Sequence, residues 1–139
     1  MHENPSPQKI RELLAGSRNV AVVGLSGDPS RPSHGVARAL QAYGFKIFPV
    51  NPNLDGPVLG ERPYSSIREI EGPLDIVDVF RDGSKVRPIA EDAVAAGAKA
   101  LWLQLGVINE EAAEYAAENA LTVVMDRCSK VDYGALVKG

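Results

Sequence analysis

Val20-Ala21-Val22-Val23-Gly24-Leu25-Ser26-Gly27 is the stretch of sequence that decides the fold. Its first half is a run of small and β-branched apolar residues, which is typical of a strand buried on both faces. The run ends in a loop of glycine and serine, and a helical pattern begins near Ser33. A strand, a glycine loop and a helix in this order direct backbone N–H groups and a helix N-terminus towards a phosphate group. The stretch therefore predicts a nucleotide-like ligand.

The pattern of a strand followed by a helix continues along the chain. Predicted helices separate predicted strands at residues 19–25, 46–50, 75–80, 99–105 and 121–125. Alternation at this spacing forms βαβ units with right-handed crossovers, which build a parallel sheet covered on both faces. We therefore predict an α/β fold, a Rossmann-like doubly wound parallel sheet in a single domain. Residues 19–139 form this domain, and residues 1–18 form an N-terminal helical extension.

Composition and charge exclude several classes of function. The chain has 139 residues, of which 45% are hydrophobic and 24% are charged, as in ordinary soluble domains. Its net charge of −3 argues against non-specific nucleic-acid binding, which needs a basic surface. No apolar run approaches the roughly 20 residues that cross a bilayer, and the N-terminus does not read as a signal peptide. The single cysteine cannot form an internal disulfide, so we expect a cytoplasmic protein without membrane or nucleic-acid partners.

In a doubly wound sheet, ligands bind outside the carboxyl ends of the strands. The loop after the first strand lacks the G-x-G-x-x-G pattern of dinucleotide sites, but it has glycines for close backbone approach and serine hydroxyls. Arg31 adds a cation for a phosphate. The alternative is that Gly24 only turns the chain and Ser33 only caps a helix. If the loop lines the site, Gly24→Val is expected to block the phosphate while leaving the fold largely intact.

The ends of the next strands discriminate between ligands. NAD sites usually place a carboxylate after the second strand to bind the ribose, whereas this chain has Asn51 followed by Pro52, which disfavours NAD without excluding it. Phe80 can stack on an adenine and Arg81 can pair with a phosphate. The alternative for these two is a core phenylalanine and a solvated arginine. Trp102 is expected in the core, and Asp82 is expected to cap a helix.

Six segments at the strand ends resemble, in order, the small stand-alone CoA-binding proteins of bacteria and archaea. They cover nearly the whole chain from Asn19 to Val131 and are also similar to the CoA-binding domain of the succinyl-CoA synthetase α subunit and of ADP-forming acyl-CoA synthetases. The matching segments are Val22 to Ser26, Arg31 to Ser33, Pro49 to Asn53, Asp75 to Arg81, Trp102 to Gly106, and Met125 to Cys128.

The resemblance implies coenzyme A as the ligand and assigns a part of it to each loop. The loop from Gly24 to Ser26 and the residues from Arg31 to Ser33 would contact the phosphate-bearing part. Asn51 and Pro52 would border the nucleotide, and Phe80 and Arg81 would contact the adenine or phosphates. The residues from Gln104 to Gly106 would contact the pantetheine arm. In chain order these expected site residues are Gly24, Leu25, Ser26, Arg31, Pro32, Ser33, Asn51, Pro52, Phe80, Arg81, Gln104, Leu105 and Gly106. His34 stands where many relatives carry a tyrosine and receives no ligand role.

The resemblance also bears on catalysis. The synthetases work through a phosphohistidine in a second domain and an ATP-grasp unit, and neither is present in these residues. We therefore expect a non-catalytic module that binds CoA or acyl-CoA in a regulatory or subunit-like role. The alternative is an NAD(P)- or nucleotide-dependent enzyme whose catalytic groups carry no familiar pattern. Cys128, beside the basic Arg127 and Lys130, is a candidate for a mixed disulfide with the CoA thiol. An unreactive packed cysteine is the alternative.

Overall fold

The computed structural model describes residues 1–139 and contains one sheet of five parallel strands. In spatial order the strands run β2-β1-β3-β4-β5, and the strand order changes direction between β1 and β3. This break is where a crevice opens at the carboxyl ends of a parallel sheet. The strands are β1 (Asn19–Val23), β2 (Lys46–Val50), β3 (Ile76–Val79), β4 (Ala100–Leu103) and β5 (Thr122–Met125).

Helices cover both faces of the sheet, which confirms the doubly wound α/β fold. Side chains alternate along a strand, so Ala21 and Val23 enter one apolar cluster while Val20 and Val22 enter the other. None of the helices is both long enough and apolar enough to cross a membrane. The helices are α1 (Pro7–Ala15), α2 (Pro32–Ala42), α3 (Val86–Ala95), α4 (Glu110–Glu118) and α5 (Ser129–Asp132), which continues into a π-helical turn at Tyr133–Val137.

The N-terminal helix packs into the same core as the sheet. Ser6 followed by Pro7 is a sequence typical of a helix start, and Ser6 caps α1 by accepting a hydrogen bond from the Lys9 N–H. Ile10 and Leu14 are buried in the cluster that also contains Val20. Removing this helix would therefore expose apolar surface of the sheet.

The main differences from the predicted elements lie at their ends. The first strand ends at Val23, two residues early, because Gly24 adopts a φ of +87° that extended backbone does not have. The sequence pattern from Ser84 to Ala96 predicts a helix that begins at Ser84. The structure has a 3₁₀ turn over Gly83–Lys85 there and becomes α-helical at Val86. These changes occur on the carboxyl side of the sheet, where the loops form the crevice.

Candidate functional site

Gly24 lies where the loops after β1 and β3 touch. A Cβ atom built on it would lie 2.9 Å from the carbonyl oxygen of Phe80 and 2.9 Å from Cδ of Arg81, and its φ is +87°. Any other residue would be strained and would push the two loops apart. The expectation that Gly24→Val leaves the fold intact is therefore wrong, because the glycine is needed to close the crevice.

The loop after β1 is held by side chains that the sequence assigned to the ligand. Ser33 accepts a hydrogen bond from the Ser26 N–H at 3.0 Å, whereas the N-cap of α2 is Arg31. Asn51 donates from Nδ2 to the Leu25 carbonyl at 3.1 Å and accepts from the Asn53 N–H at 2.9 Å. The Leu25 side chain is fully buried in the core. Ser33 and Asn51 therefore shape the loop, and Leu25, which is buried as a whole residue, supports the loop from the core.

A polar hollow of about 330 Å³ opens beside this loop and the N-terminus of α2. Arg31 is exposed and forms no ion pair, so its guanidinium is free to meet an anion. The dipole of α2 adds partial positive charge at the same place, although Pro32 has no N–H and the His34 and Gly35 N–H groups donate to the Arg31 carbonyl. Asp28 is the acidic residue of this loop, and hydrogen bonds from Ser30 lower its pKa. The residues lining the hollow are Gly24, Ser26, Arg31, Pro32, Ser33 and Phe80.

A larger, more apolar cavity of about 550 Å³ lies next to the polar hollow and shares Pro32 and Phe80 with it. Val36 and Val107 are not among the expected site residues, although Val107 closes the stretch after the fourth strand where a ligand is expected. Val36 lies one helical turn after Pro32, so the i, i+4 spacing indicates that the two share a face. The lining residues are Pro32, Val36, Phe80, Arg81, Asp82, Gln104, Leu105, Gly106, Val107 and Cys128.

Arg81 connects this cavity to a third, smaller hollow of about 170 Å³ that includes Pro52 and Ser66. Its side chain is exposed and forms no ion pair. Asp82, the next residue, caps the 3₁₀ turn by accepting from the Ser84 N–H at 2.9 Å, as expected. Hydrogen bonds from Ser84 also lower the pKa of Asp82. The three openings thus form one trough along the carboxyl edge, with Arg31 and Arg81 as its free cations.

A buried polar triad lies behind the larger cavity. Gln104 donates from Nε2 to Asp78 Oδ1 at 2.7 Å and to Ser129 Oγ at 2.7 Å. The Ser129 hydroxyl donates to Asp78 Oδ2 at 2.8 Å. Burial raises the pKa of Asp78 to about 7, although both hydrogen-bond partners act in the opposite direction. Asp78 and Ser129 are not among the expected site residues, although Ser129 closes the stretch after the last strand where a ligand is expected. The available signal for Asp78 was a carboxylate in the middle of an apolar strand.

Cys128 and His34 were the remaining candidates for a chemical role. Cys128 is half-buried and lines the larger cavity. The expected basic neighbour Arg127 is instead paired with Asp132, at 2.6 Å and 2.8 Å, and that carboxylate raises the pKa of Arg127. His34 is buried, its Nδ1 has no hydrogen-bond partner, and it lines none of the three openings.

Comparison with known proteins connects this architecture to a family. A family model described as "CoA binding domain" matches residues 18–134 of the chain. The uncharacterized protein YneT of Bacillus subtilis (strain 168) is 46% identical over 129 residues, which cover 93% of this chain and 95% of YneT. An ADP-forming acetate–CoA ligase of Methanocaldococcus jannaschii is 24% identical over 117 residues, which cover 84% of this chain and 16% of the ligase.

Solved structures show the same fold over the whole length of the chain. A hypothetical protein from Pyrococcus horikoshii OT3 superimposes with a TM-score of 0.91 at 32% identity, covering 99% of both chains. The protein "cell-free ID.343" from Thermus thermophilus has a TM-score of 0.91 at 34% identity, covering 95% of this chain and 99% of that one. Since the family model matches most of its length and relatives of the same size share its sequence and fold, the chain belongs to the CoA binding domain family.

Proposed function

We propose that the chain binds coenzyme A or an acyl-CoA across the carboxyl ends of its strands and does so without catalysing a reaction on it. The trough is the observation that carries the proposal, because it lies in a chain that belongs to the CoA binding domain family. One end is polar with a free guanidinium, and the other is a largely apolar cavity beside a glutamine. CoA has the same division, since its nucleotide carries the phosphates and its pantetheine arm is aliphatic with two amides.

The residues of the trough suggest where each part of the ligand binds. The phosphates would lie against the loop from Gly24 to Ser26 and the residues from Arg31 to Ser33, where the N-terminus of α2 adds positive charge. The adenine would lie against Phe80, with Arg81 and Pro52 bordering the nucleotide. The pantetheine arm would pass Gln104, Leu105 and Gly106 into the larger cavity.

The role in the cell is proposed to be regulatory or subunit-like. An acetate–CoA ligase and an acetate–CoA ligase α subunit each contain a region similar to this chain, but the chain spans a small fraction of their length. A module that holds CoA would serve a separate catalytic partner, or it would report the level of free or acylated CoA. The alternative, an NAD(P)- or nucleotide-dependent enzyme, is disfavoured because Asn51 offers no carboxylate to a ribose and is already bonded to backbone groups on both sides.

Calorimetric titration of protein freed of co-purified ligand tests the proposal. CoA, acetyl-CoA, NAD and ADP are compared under identical conditions, and CoA or acetyl-CoA should bind more tightly than NAD or ADP. Release of thiol from acetyl-CoA during incubation with ADP and phosphate is measured in parallel, and none is expected. Binding of NAD without binding of CoA would refute the proposed ligand, and steady thiol release would refute the non-catalytic role.

A further inference from the structure

We propose that Asp78 and Ser129 are positioning residues that turn the carbonyl oxygen of Gln104 towards the ligand, so that the site selects an N–H group of the pantetheine arm. This inference rests on the function proposed above and specifies how the site distinguishes CoA from nucleotides that lack the arm. It follows from a cluster of buried hydrogen bonds at the wall of the larger cavity.

Two buried hydrogen bonds set the orientation of the Gln104 side chain. Both N–H groups of its carboxamide are used, one by Asp78 Oδ1 and one by Ser129 Oγ. Its oxygen Oε1 accepts no hydrogen bond from the chain. Nδ1 of His34 is the one fully buried side-chain atom without a partner, so Oε1 is not fully buried. Since Gln104 also lines the cavity, Oε1 is accessible from it and is the polar group that Gln104 presents there.

The Gln104 carboxamide cannot reverse while Asp78 is ionised. An ionised carboxylate only accepts hydrogen bonds, and the Ser129 hydroxyl already donates its proton to Asp78 at 2.8 Å. Turning the Gln104 carboxamide round would place Oε1 against Asp78 Oδ1, where Nε2 now lies at 2.7 Å. Two acceptors at that distance repel each other, and both Gln104 N–H bonds would be lost. The triad therefore fixes Gln104 as an acceptor whenever Asp78 is ionised.

The lining of the larger cavity indicates the chemistry of the ligand group that meets Oε1. The cavity that Gln104 lines is walled by the apolar Pro32, Val36 and Val107, and the charged Arg81 and Asp82 belong to the same lining. A ligand group that fits this wall is aliphatic and carries a hydrogen-bond donor. The secondary amides of pantetheine meet both requirements, whereas a phosphate or carboxylate presents more acceptors to Oε1. If Gln104 lost its hydrogen bonds to Asp78 and Ser129, the carboxamide would no longer be held. The hydrogen bond between Oε1 and the ligand would then add less to the affinity.

The variant Asp78→Asn tests the orientation, because an asparagine can donate to Oε1 and so allows the carboxamide to reverse. Affinities for CoA and for its nucleotide half, adenosine 3′-phosphate 5′-diphosphate, are measured by calorimetry at pH 8, above the pKa of about 7 to which burial raises the Asp78 carboxyl. The variant should lose about tenfold in affinity for CoA, the value of one hydrogen bond, and less than about twofold for the nucleotide half.

Equal losses for both ligands, or an unchanged affinity for CoA, would overturn the inference. Wild-type protein that binds the nucleotide half as tightly as CoA would also overturn it, because the arm would then contribute nothing. Wild-type protein that binds neither ligand would refute the proposed function itself.

A measurement on the wild type covers the case in which Asp78→Asn does not fold. In ¹⁵N-labelled protein at pH 8, the two carboxamide protons of Gln104 should exchange with solvent much more slowly than those of the exposed Gln8. The reason is that both Gln104 protons are held in buried hydrogen bonds. Equal exchange rates for Gln104 and Gln8 would show that the carboxamide is not held, and the inference would fail.

Discussion

The buried carboxyl of Asp78 should make the stability of this protein fall as the pH rises from 5 to 8. Burial raises its pKa from 3.8 to about 7. The folded state therefore binds a proton more tightly than the unfolded chain, and the resulting stability is complete below pH 3.8 and lost as the pH rises through 7. A shift of about 3 pKa units corresponds to about 4 kcal/mol, of which more than half is lost between pH 5 and 8.

Urea denaturation of the wild type and of Asp78→Asn at several pH values measures this loss. The asparagine is of the same size and neutral throughout, so subtracting its pH dependence removes the contribution of all other titrating groups. The wild-type midpoint should fall by about 1 M urea relative to the variant between pH 5 and 8, for a slope of roughly 2 kcal/mol per M. The acidic residues with lowered pKa values, Asp28, Asp75 and Asp82, act below this range. Parallel curves for the two proteins would show that the Asp78 carboxyl titrates normally.

The remaining predictions concern the trough and two glycines. If Arg81 holds the 3′-phosphate, Arg81→Ala should lower the affinity for CoA about tenfold more than the affinity for dephospho-CoA in calorimetry. Arg38→Ala removes an exposed charge outside the trough and should change neither affinity. Equal losses for the two ligands would reject that role of Arg81. Gly83→Ala should destabilise the fold by about 1–3 kcal/mol in urea, because a Cβ there meets a carbonyl oxygen of the loop before α4. Gly35→Ala, where a Cβ meets open space inside α2, should stabilise it by about 0.5–1 kcal/mol, and the reverse ranking would contradict this view of the packing. Incubation with oxidised CoA should add one CoA to the mass of the wild type and none to that of Cys128→Ser. In this reaction the thiolate of Cys128 displaces one CoA thiolate from the disulfide. An unmodified wild type would show that the cysteine is inert.

The layers of the fold follow directly from local patterns in the sequence. The apolar run of β1 and the helical spacing after it predict a buried parallel strand and a covering helix, and both are present. The strand order β2-β1-β3-β4-β5 could not be derived in the same way. Right-handed crossovers are compatible with more than one order, and the choice depends on packing between segments far apart in the chain.

The site was predictable where it depends on position along a strand and not where it depends on contacts across the sheet. Phe80, Arg81 and Gln104 follow the ends of strands, and all three line the larger cavity. The bond between Ser33 and the Ser26 N–H connects residues whose separation the loop conformation decides, so the sequence could only suggest a cap or a ligand contact. The triad of Gln104 involves separations of 26 and 25 residues, which no local pattern encodes.

Asp78 is the position at which stability and the proposed function oppose each other. The residues around it in β3 are apolar and buried, so an apolar side chain of similar size would avoid the cost of burying a carboxyl. That substitution would also leave the Gln104 Nε2 and the Ser129 hydroxyl without their acceptor inside the protein, and each such loss costs about 1–3 kcal/mol. The three polar side chains therefore form a unit in which no single member can be replaced cheaply. A unit of this kind brings little net stability, and its function is better explained by the fixed orientation that it gives to the carboxamide at the cavity wall.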